Sequence, residues 1–416
     1  MHYDLSTLSN GLRVITESMP GVRSVAIGAW IDTGTRDEHS NEAGAAHFLE
    51  HLLFKGSEDM SARHISDTFD ALGAQSNAFT SKELTCFWAR MVDEDLPTGL
   101  GLIGEMLQRP AFRIDEVDSE RLVVTEEINM SEDDPHDVTF ESFTNAIFAG
   151  HPLELPILGT RESIKTMSRD DIHGYWKRRY GVESTVLSVA GNIDHREVVE
   201  LAEATFGSWE GADTDHDFQT LDLQPSVNMV HRDTEQSHLV LGGQGMARSD
   251  DRRFAYEIMN HILGGGMSSR LFRSIREERG LAYAVYSFAM PYGDVGAWGI
   301  YAGTTPDNTD TVLSLILGEL DLMVSKGVDD EELGRAKGNV RGSLALSLED
   351  ANSRMMRLGR QEATGQQHLS VGERIERLNA VTNDDVLEVA SEVLVGSRVL
   401  AGVGPNDPAK LEQYIA

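Results

Sequence analysis

His47, Glu50 and His51 stand together in the apolar run AAHFLEHLLF, residues 45–54. No proline interrupts it, and Phe48, Leu49, Leu52, Leu53 and Phe54 give it the pattern of a mostly buried helix. Positions i and i+4 of a helix share a face, so His47 and His51 can aim two imidazole nitrogens at one ion. Glu50, at i+3 from His47, lies beside them, near enough to reach a ligand of that ion without binding the ion itself. Imidazole suits zinc, and a catalytic zinc takes three protein ligands and a water. Two satisfied core histidines are the competing explanation. Burying three polar groups without partners is costly, which weighs against it.

The third ligand must be a carboxylate or imidazole from a second element. The stretch DSERLVVTEEINMSEDDP, residues 118–135, supplies candidates. Glu120 and Glu127 lie two helical turns apart and face the same way, while Val123 and Val124 give the helix an apolar side. Glu126 points about 100° away from Glu127. Taken alone, such a helix reads as a solvated, glutamate-rich face.

The elements that carry these residues occur twice. LSVAGNID at 187–194 is echoed by LAGVGPND at 400–407, TMSRDDI at 166–172 by AVTNDDV at 380–386, and DEVDSER before position 121 by DDEELGR before position 335. The offsets are 213 or 214 (407−194, 384−170, 335−121). A period this long denotes a duplicated domain rather than a solenoid. The fold expected is α+β in two homologous domains. Their predicted extents are 1–212 and 227–416, joined by a polar, acidic linker at 213–226. At offset 214, His47 falls on His261, Glu50 on Gly264, His51 on Gly265, Glu120 on Gly334 and Glu127 on Arg341. Apolar positions survive in the second copy and the chemistry-bearing set is lost, which favours chemistry over fold maintenance in the first.

The chain has 416 residues, 40% hydrophobic and 25% charged, with 68 Asp plus Glu against 36 Lys plus Arg and a formal charge of −32. That balance disfavours nucleic acid and anionic membrane surfaces. Cys86 is the one cysteine, so no intrachain disulfide can form, as in a reducing compartment. The Met1-His2-Tyr3-Asp4-Leu5 start has no signal-peptide pattern, and no apolar run approaches the ~20 residues of a membrane span. A cytoplasmic protein is the expectation.

H-x-x-E-H followed 76 residues later by Glu (127−51) resembles the pitrilysin/insulinase-type zinc metallopeptidases, in particular their processing-peptidase branch. The likeness runs through AWIDTGTRDE, AAHFLEHLLFKGS, NAFTSKE, ERLVVTEEI, HPLELPILGT and SVAGNID in the first half and SSRLFRSIREERGLAYAVYS in the second. The resemblance implies that the two domains are α/β-sandwich-like and face each other as half of a clamshell. By it His47, His51 and Glu127 bind one Zn2+ per chain, Glu50 is the general base and Glu120 a supporting carboxylate. Arg276 and Tyr283 of the second half reach substrate at the zinc site. Asn77, Ala78 and Phe79 belong to a sheet edge that receives substrate as an added strand, and Phe54 lines the pocket after the cut bond. Asp137 and Glu141, four apart on a helix face, hold an arginine upstream of the cut. The implied activity is zinc-dependent endopeptidase or oligopeptidase cleavage of unfolded or short polypeptides by a homodimer, a heterodimer remaining open. The rival is a non-catalytic or partner-dependent subunit of a processing peptidase, and the intact H-x-x-E-H set argues against it.

Overall fold

The protein is described by a computed structural model covering residues 3–212 and 214–415. Met1, His2 and Asp213, the first residue of the expected linker, lie outside the described residues. The chain divides into two compact units. The first comprises residues through Asn129, Leu155–Asp217 and Ala345–Val371; the second comprises Met130–Glu154, Phe218–Leu344 and the chain from Gly372.

The first unit is built on β1 (Tyr3–Thr7), β2 (Arg13–Ser18), β3 (Ser24–Ile31), β4 (Gln75–Thr80), β5 (Thr85–Val92) and β6 (Thr185–Gly191). They lie in the order β1-β2-β6-β3-β5-β4, antiparallel except for the β2/β6 pair. The second unit has β7 (Ser226–His231), β8 (Ser237–Gly245), β9 (Ala282–Pro291), β10 (Gly296–Thr304) and β11 (Arg398–Gly404). Their order is β7-β11-β8-β10-β9, with only β7/β11 parallel. This reproduces β2-β6-β3-β5-β4 strand for strand, so the duplication expected from the sequence is present in the topology, and the fold class is α+β.

Strand side chains alternate between faces. One face of the first sheet presents Val14, Val25, Ile27, Phe87 and Leu187 to a core shared with Phe48, Leu49, Leu52 and Leu53 of the motif helix (Ala45–Leu53). The other face presents Ile15, Ala26, Trp30, Cys86 and Val186 to Ala351, Met355 and Leu358 of the helix Ala351–Ala363. That helix comes from the far end of the sequence. Glu17, 2% exposed, receives both Arg354 and Arg357, the latter at 3.0 Å, so its buried charge is paired twice. Gly359 permits the close approach: a Cβ there would stand 1.9 Å from the Trp30 indole nitrogen. The second sheet mirrors the exchange. Its Val240, Val399 and Ala401 are covered by Phe143, Ala146 and Ile147 of the helix Pro135–Ile147.

The expected boundaries at 1–212 and 227–416 therefore need correction. Each sheet takes a covering helix from the opposite half of the sequence, because the apolar face of each helix finds its matching apolar sheet face there. The linker expectation also changes. Arg179 donates to Asp215 O at 3.0 Å, Arg36 to Asp217 O at 3.2 Å, and His216 bonds Asp37 at 2.7 Å and lies 3.2 Å from Asp32. Burial alone would lower the His216 pKa, but hydrogen bonds and charge from Asp32 and Asp37 raise it to about 9. Residues 215–217 are thus part of the first unit, polar because their partners are buried ions, while Leu221 and Leu223 pack on the second core. Among the described residues no helix is long and apolar enough to cross a membrane.

A fragment of residues 1–217 is expected to lack cooperative unfolding, because without the helix Ala351–Ala363 it exposes the sheet face that carries Trp30, Val186 and Ala190. Co-expression with residues 218–416 should restore a single sharp near-UV circular-dichroism transition. A cooperative transition from the isolated fragment would show that the exchanged helix is dispensable.

Candidate metal centre

The motif helix starts after Gly44, which has φ 90°, and its apolar positions fill the core of the first sheet. This fixes the axial rotation of the helix and carries His47, Glu50 and His51 out along one side. The long helix Ile114–Asp133, anchored by buried Val117, Val124 and Ile128, presents Glu120 and Glu127 to them.

Three lone-pair-bearing atoms meet. His47 Nε2 and His51 Nε2 are 3.2 Å apart, and Glu127 Oε2 lies 3.5 Å from the first and 3.4 Å from the second. His51 Nδ1 is 2.8 Å from Glu120 Oε1, so it carries the proton donated to that carboxylate and leaves Nε2 as the acceptor. Glu127 Oε2 is buried and finds no hydrogen-bond donor among the described residues. Three acceptors facing one another repel unless a cation sits between them. A tetrahedral zinc with bonds of 2.0–2.1 Å separates its ligands by about 3.3 Å, and the triangle here has that size. His47, His51 and Glu127 are the one such group of three metal-ligating side chains found among the described residues.

Electrostatics suit the same role. Burial, helped by the neighbouring His51, lowers the His47 pKa to about 4, so the ring is neutral and able to ligate. Burial would lower His51 too, but the Glu120 hydrogen bond and the surrounding carboxylates carry it above its ordinary value. Glu120 is 4% exposed. Its burial is outweighed by His51 and by Lys55, whose Nζ lies 2.6 Å away, and its pKa falls below the usual carboxylate range. Burial raises Glu50 above that range, offset in part by Thr80, whose hydroxyl donates to Glu50 Oε2 at 2.6 Å.

Residues 13–161 match the family profile described as Insulinase (Peptidase family M16), and residues 166–340 match the Peptidase M16 inactive domain. An uncharacterized zinc protease of Streptomyces coelicolor is 41% identical over 96% of this chain and 89% of its own. One of Bacillus subtilis is 38% identical over 96% of this chain and 98% of its own. The chain belongs to the M16 family of pitrilysin/insulinase-type peptidases. Its fold matches the crystal structure of a protease from Helicobacter pylori with a TM-score of 0.90 at 22% identity, over 97% of this chain and 99% of that one. It also matches a peptidase M16 inactive domain from Pseudomonas fluorescens with a TM-score of 0.92 at 19% identity, over 98% and 99%.

Within this M16 chain, the other expected residues fall as follows. Asn77, Ala78 and Phe79 lie on β4, the outermost strand of the first sheet, which pairs with β5 on one side and has no strand partner on the other among the described residues. Ala78 joins the core behind the motif helix, and the Phe79 ring turns to the opposite face, 5.6 Å from Trp30. Phe54 caps the motif helix, half-buried, its ring 6.0 Å from that of Phe87. In the second unit Arg276 and Tyr283 come together, the guanidinium 5.0 Å from the Tyr283 ring and 4.9 Å from Phe272. Asp137 and Glu141 are both exposed on the helix Pro135–Ile147. Two contacts of the site were not anticipated from the sequence, Lys55 with Glu120 and Thr80 with Glu50. Lys55 follows His51 at i+4, a helical spacing that could have drawn attention. Thr80 carries no local signal linking it to Glu50.

Replacing Glu120 by Ala is expected to weaken divalent-metal binding about 10–100-fold, measured by chelator competition, with the fold retained. His51→Ala should abolish stoichiometric binding. Unchanged affinity in Glu120→Ala would show that the carboxylate does not orient His51.

Proposed function

We propose that this chain is a zinc-dependent endopeptidase or oligopeptidase acting on unfolded or short polypeptides, with one zinc held by His47, His51 and Glu127. The observation that carries it is the convergence of three acceptor atoms at 3.2–3.5 Å with Glu50 beside them. Zinc names given to relatives across nearly the whole chain support the choice of metal. When bound, zinc supplies Lewis acidity to the peptide carbonyl and to a water. Glu50 takes the proton of the attacking water on a carboxylate oxygen and delivers it to the leaving amine nitrogen; its raised pKa brings it nearer to working pH. Glu120 holds the His51 ring by its Nδ1 proton, and Lys55 compensates the buried charge of Glu120.

An edge strand binds extended peptide through main-chain hydrogen bonds with little demand on sequence. The free side of β4, with Asn77, Ala78 and Phe79, gives substrate such a place, and Phe54 flanks the motif helix as a side-chain contact. Arg276 and Tyr283 are assigned to substrate binding from the second unit, and Asp137 with Glu141 to an arginine before the cut. Homodimeric assembly, implied by the family resemblance, belongs to this proposal. So does a cytoplasmic location, in keeping with the single, buried Cys86 thiol.

Glu50→Gln is expected to keep stoichiometric zinc while peptide cleavage falls by about 10²–10⁴ or more, since the amide cannot accept the proton. Cleavage near that of the unaltered chain would remove Glu50 from the mechanism.

Peptide-library cleavage at low salt should enrich arginine two or three residues before the cut, because paired carboxylates accept a guanidinium in bidentate fashion. The double variant Asp137→Asn, Glu141→Gln should erase the enrichment with zinc retained. Equal cleavage of arginine and alanine peptides would refute the subsite.

A further inference from the structure

We infer that Thr80 is a positioning residue for Glu50, through which the strand that receives peptide also sets the orientation of the proton acceptor. Thr80 closes β4, and its hydroxyl donates to Glu50 Oε2 at 2.6 Å, a short bond of the charge-assisted kind. The Thr80 backbone is itself held. It pairs with Thr85 across the hairpin, and the turn between them is closed by Ser81, whose N–H and hydroxyl both donate to Leu84 O while its Oγ accepts from Leu84 N–H. A β-branched residue in a strand has few χ1 choices, so the hydroxyl direction follows from the strand geometry. The bond fixes the rotation of the Glu50 carboxylate at Oε2.

The duplicated unit supplies an independent comparison. In the first hairpin the pair nearest the turn is Thr80 with Thr85; in the second it is Pro291 with Gly296, with the same spacing. Thr80 thus corresponds to Pro291, which has no hydroxyl. Gly264 falls where the sequence offset of 214 places the equivalent of Glu50. There a Cβ would lie 2.3 Å from Ser287 N, so the second copy uses the position for close helix–strand packing instead. The second copy thus has no carboxylate at this position, and the residue that lies against it is Ser287 rather than the strand-end Pro291.

The inference rests on the peptidase reading, and the test separates the two. Thr80→Val keeps shape and branching and removes the donor; Thr80→Ser keeps the donor. In the zinc-loaded full chain, Thr80→Val is expected to lower kcat about 10–100-fold, with KM and zinc affinity within twofold of the unaltered chain, and Thr80→Ser to recover most of the rate. A crystal structure of Thr80→Val should show the Glu50 carboxylate turned from its place, with the motif helix unmoved. An unchanged kcat, or an undisplaced Glu50, overturns the inference while leaving the peptidase reading intact. If Glu50→Gln cleaves normally, the reading itself fails. A parallel rise in KM with loss of zinc in Thr80→Val would mark a merely structural role and also overturn the inference.

Discussion

Three acceptor atoms held within 3.2–3.5 Å of one another is an arrangement a protein must impose by force of packing. Left to themselves, two imidazole lone pairs and a carboxylate would turn away to water. Here each is prevented. His47 and His51 lie one turn apart on a helix whose apolar side is locked into the first core. Glu127 is fixed by a second helix anchored at Val117, Val124 and Ile128. Glu120 removes the remaining rotational freedom of His51 by accepting the hydrogen bond of its Nδ1–H. Lys55 in turn makes it tolerable to bury that carboxylate at 4% exposure. An unpaired charge so placed would cost several kcal/mol. The chain of dependence runs outward from the metal position: ligand, orienting carboxylate, compensating ammonium.

The duplicated unit shows what the scaffold requires once that constraint is lifted. It keeps the strand order and the pairing directions, so the fold does not depend on the ligands. Its own helix Arg253–Gly264 ends in glycine, close against Ser287, and gains packing where the first copy carries chemistry. At the offset of 214, Glu50, His51 and Glu127 fall on Gly264, Gly265 and Arg341. Its assigned residues, Arg276 and Tyr283, lie at an exposed edge, where Tyr283 is 77% open to solvent and stacks on the guanidinium.

Much of this was legible because it is local. The i, i+4 spacing of His47 and His51 and the two-turn spacing of Glu120 and Glu127 are properties of single helices, and helical periodicity fixes which side chains share a face. The repeat was legible because homologous strands keep their apolar pattern. What stayed hidden depends on contacts between segments distant in sequence. Thr80 and Glu50 are thirty positions apart, and no periodicity joins them. The exchange of the helices Pro135–Ile147 and Ala351–Ala363 is invisible for the same reason: an amphipathic helix declares that it needs an apolar partner, not which sheet supplies it. The segment 215–217 looked like a tether because it is polar, yet its polar groups answer the buried charges of Asp32, Arg36, Asp37 and Arg179.

The exchanged helix bears on why the second half of the chain persists. Met355 and Leu358 are fully buried against the first sheet, and each such side chain contributes about 1.5–3 kcal/mol of burial. Glu17 beneath them depends on Arg354 and Arg357 for its charge. The face they cover belongs to β3 and its neighbours, whose opposite face supports the motif helix. Strand positions alternate, so a β3 residue such as Trp30 under the exchanged helix is bonded directly to Ala29 and Ile31, which face the metal-bearing side. Loosening one face shifts the other, and a ligand triangle built to a few tenths of an ångström has little tolerance for that. The helix Ala351–Ala363 therefore completes the sheet on which the motif helix rests, and its removal is expected to disturb the packing beneath His47 and His51.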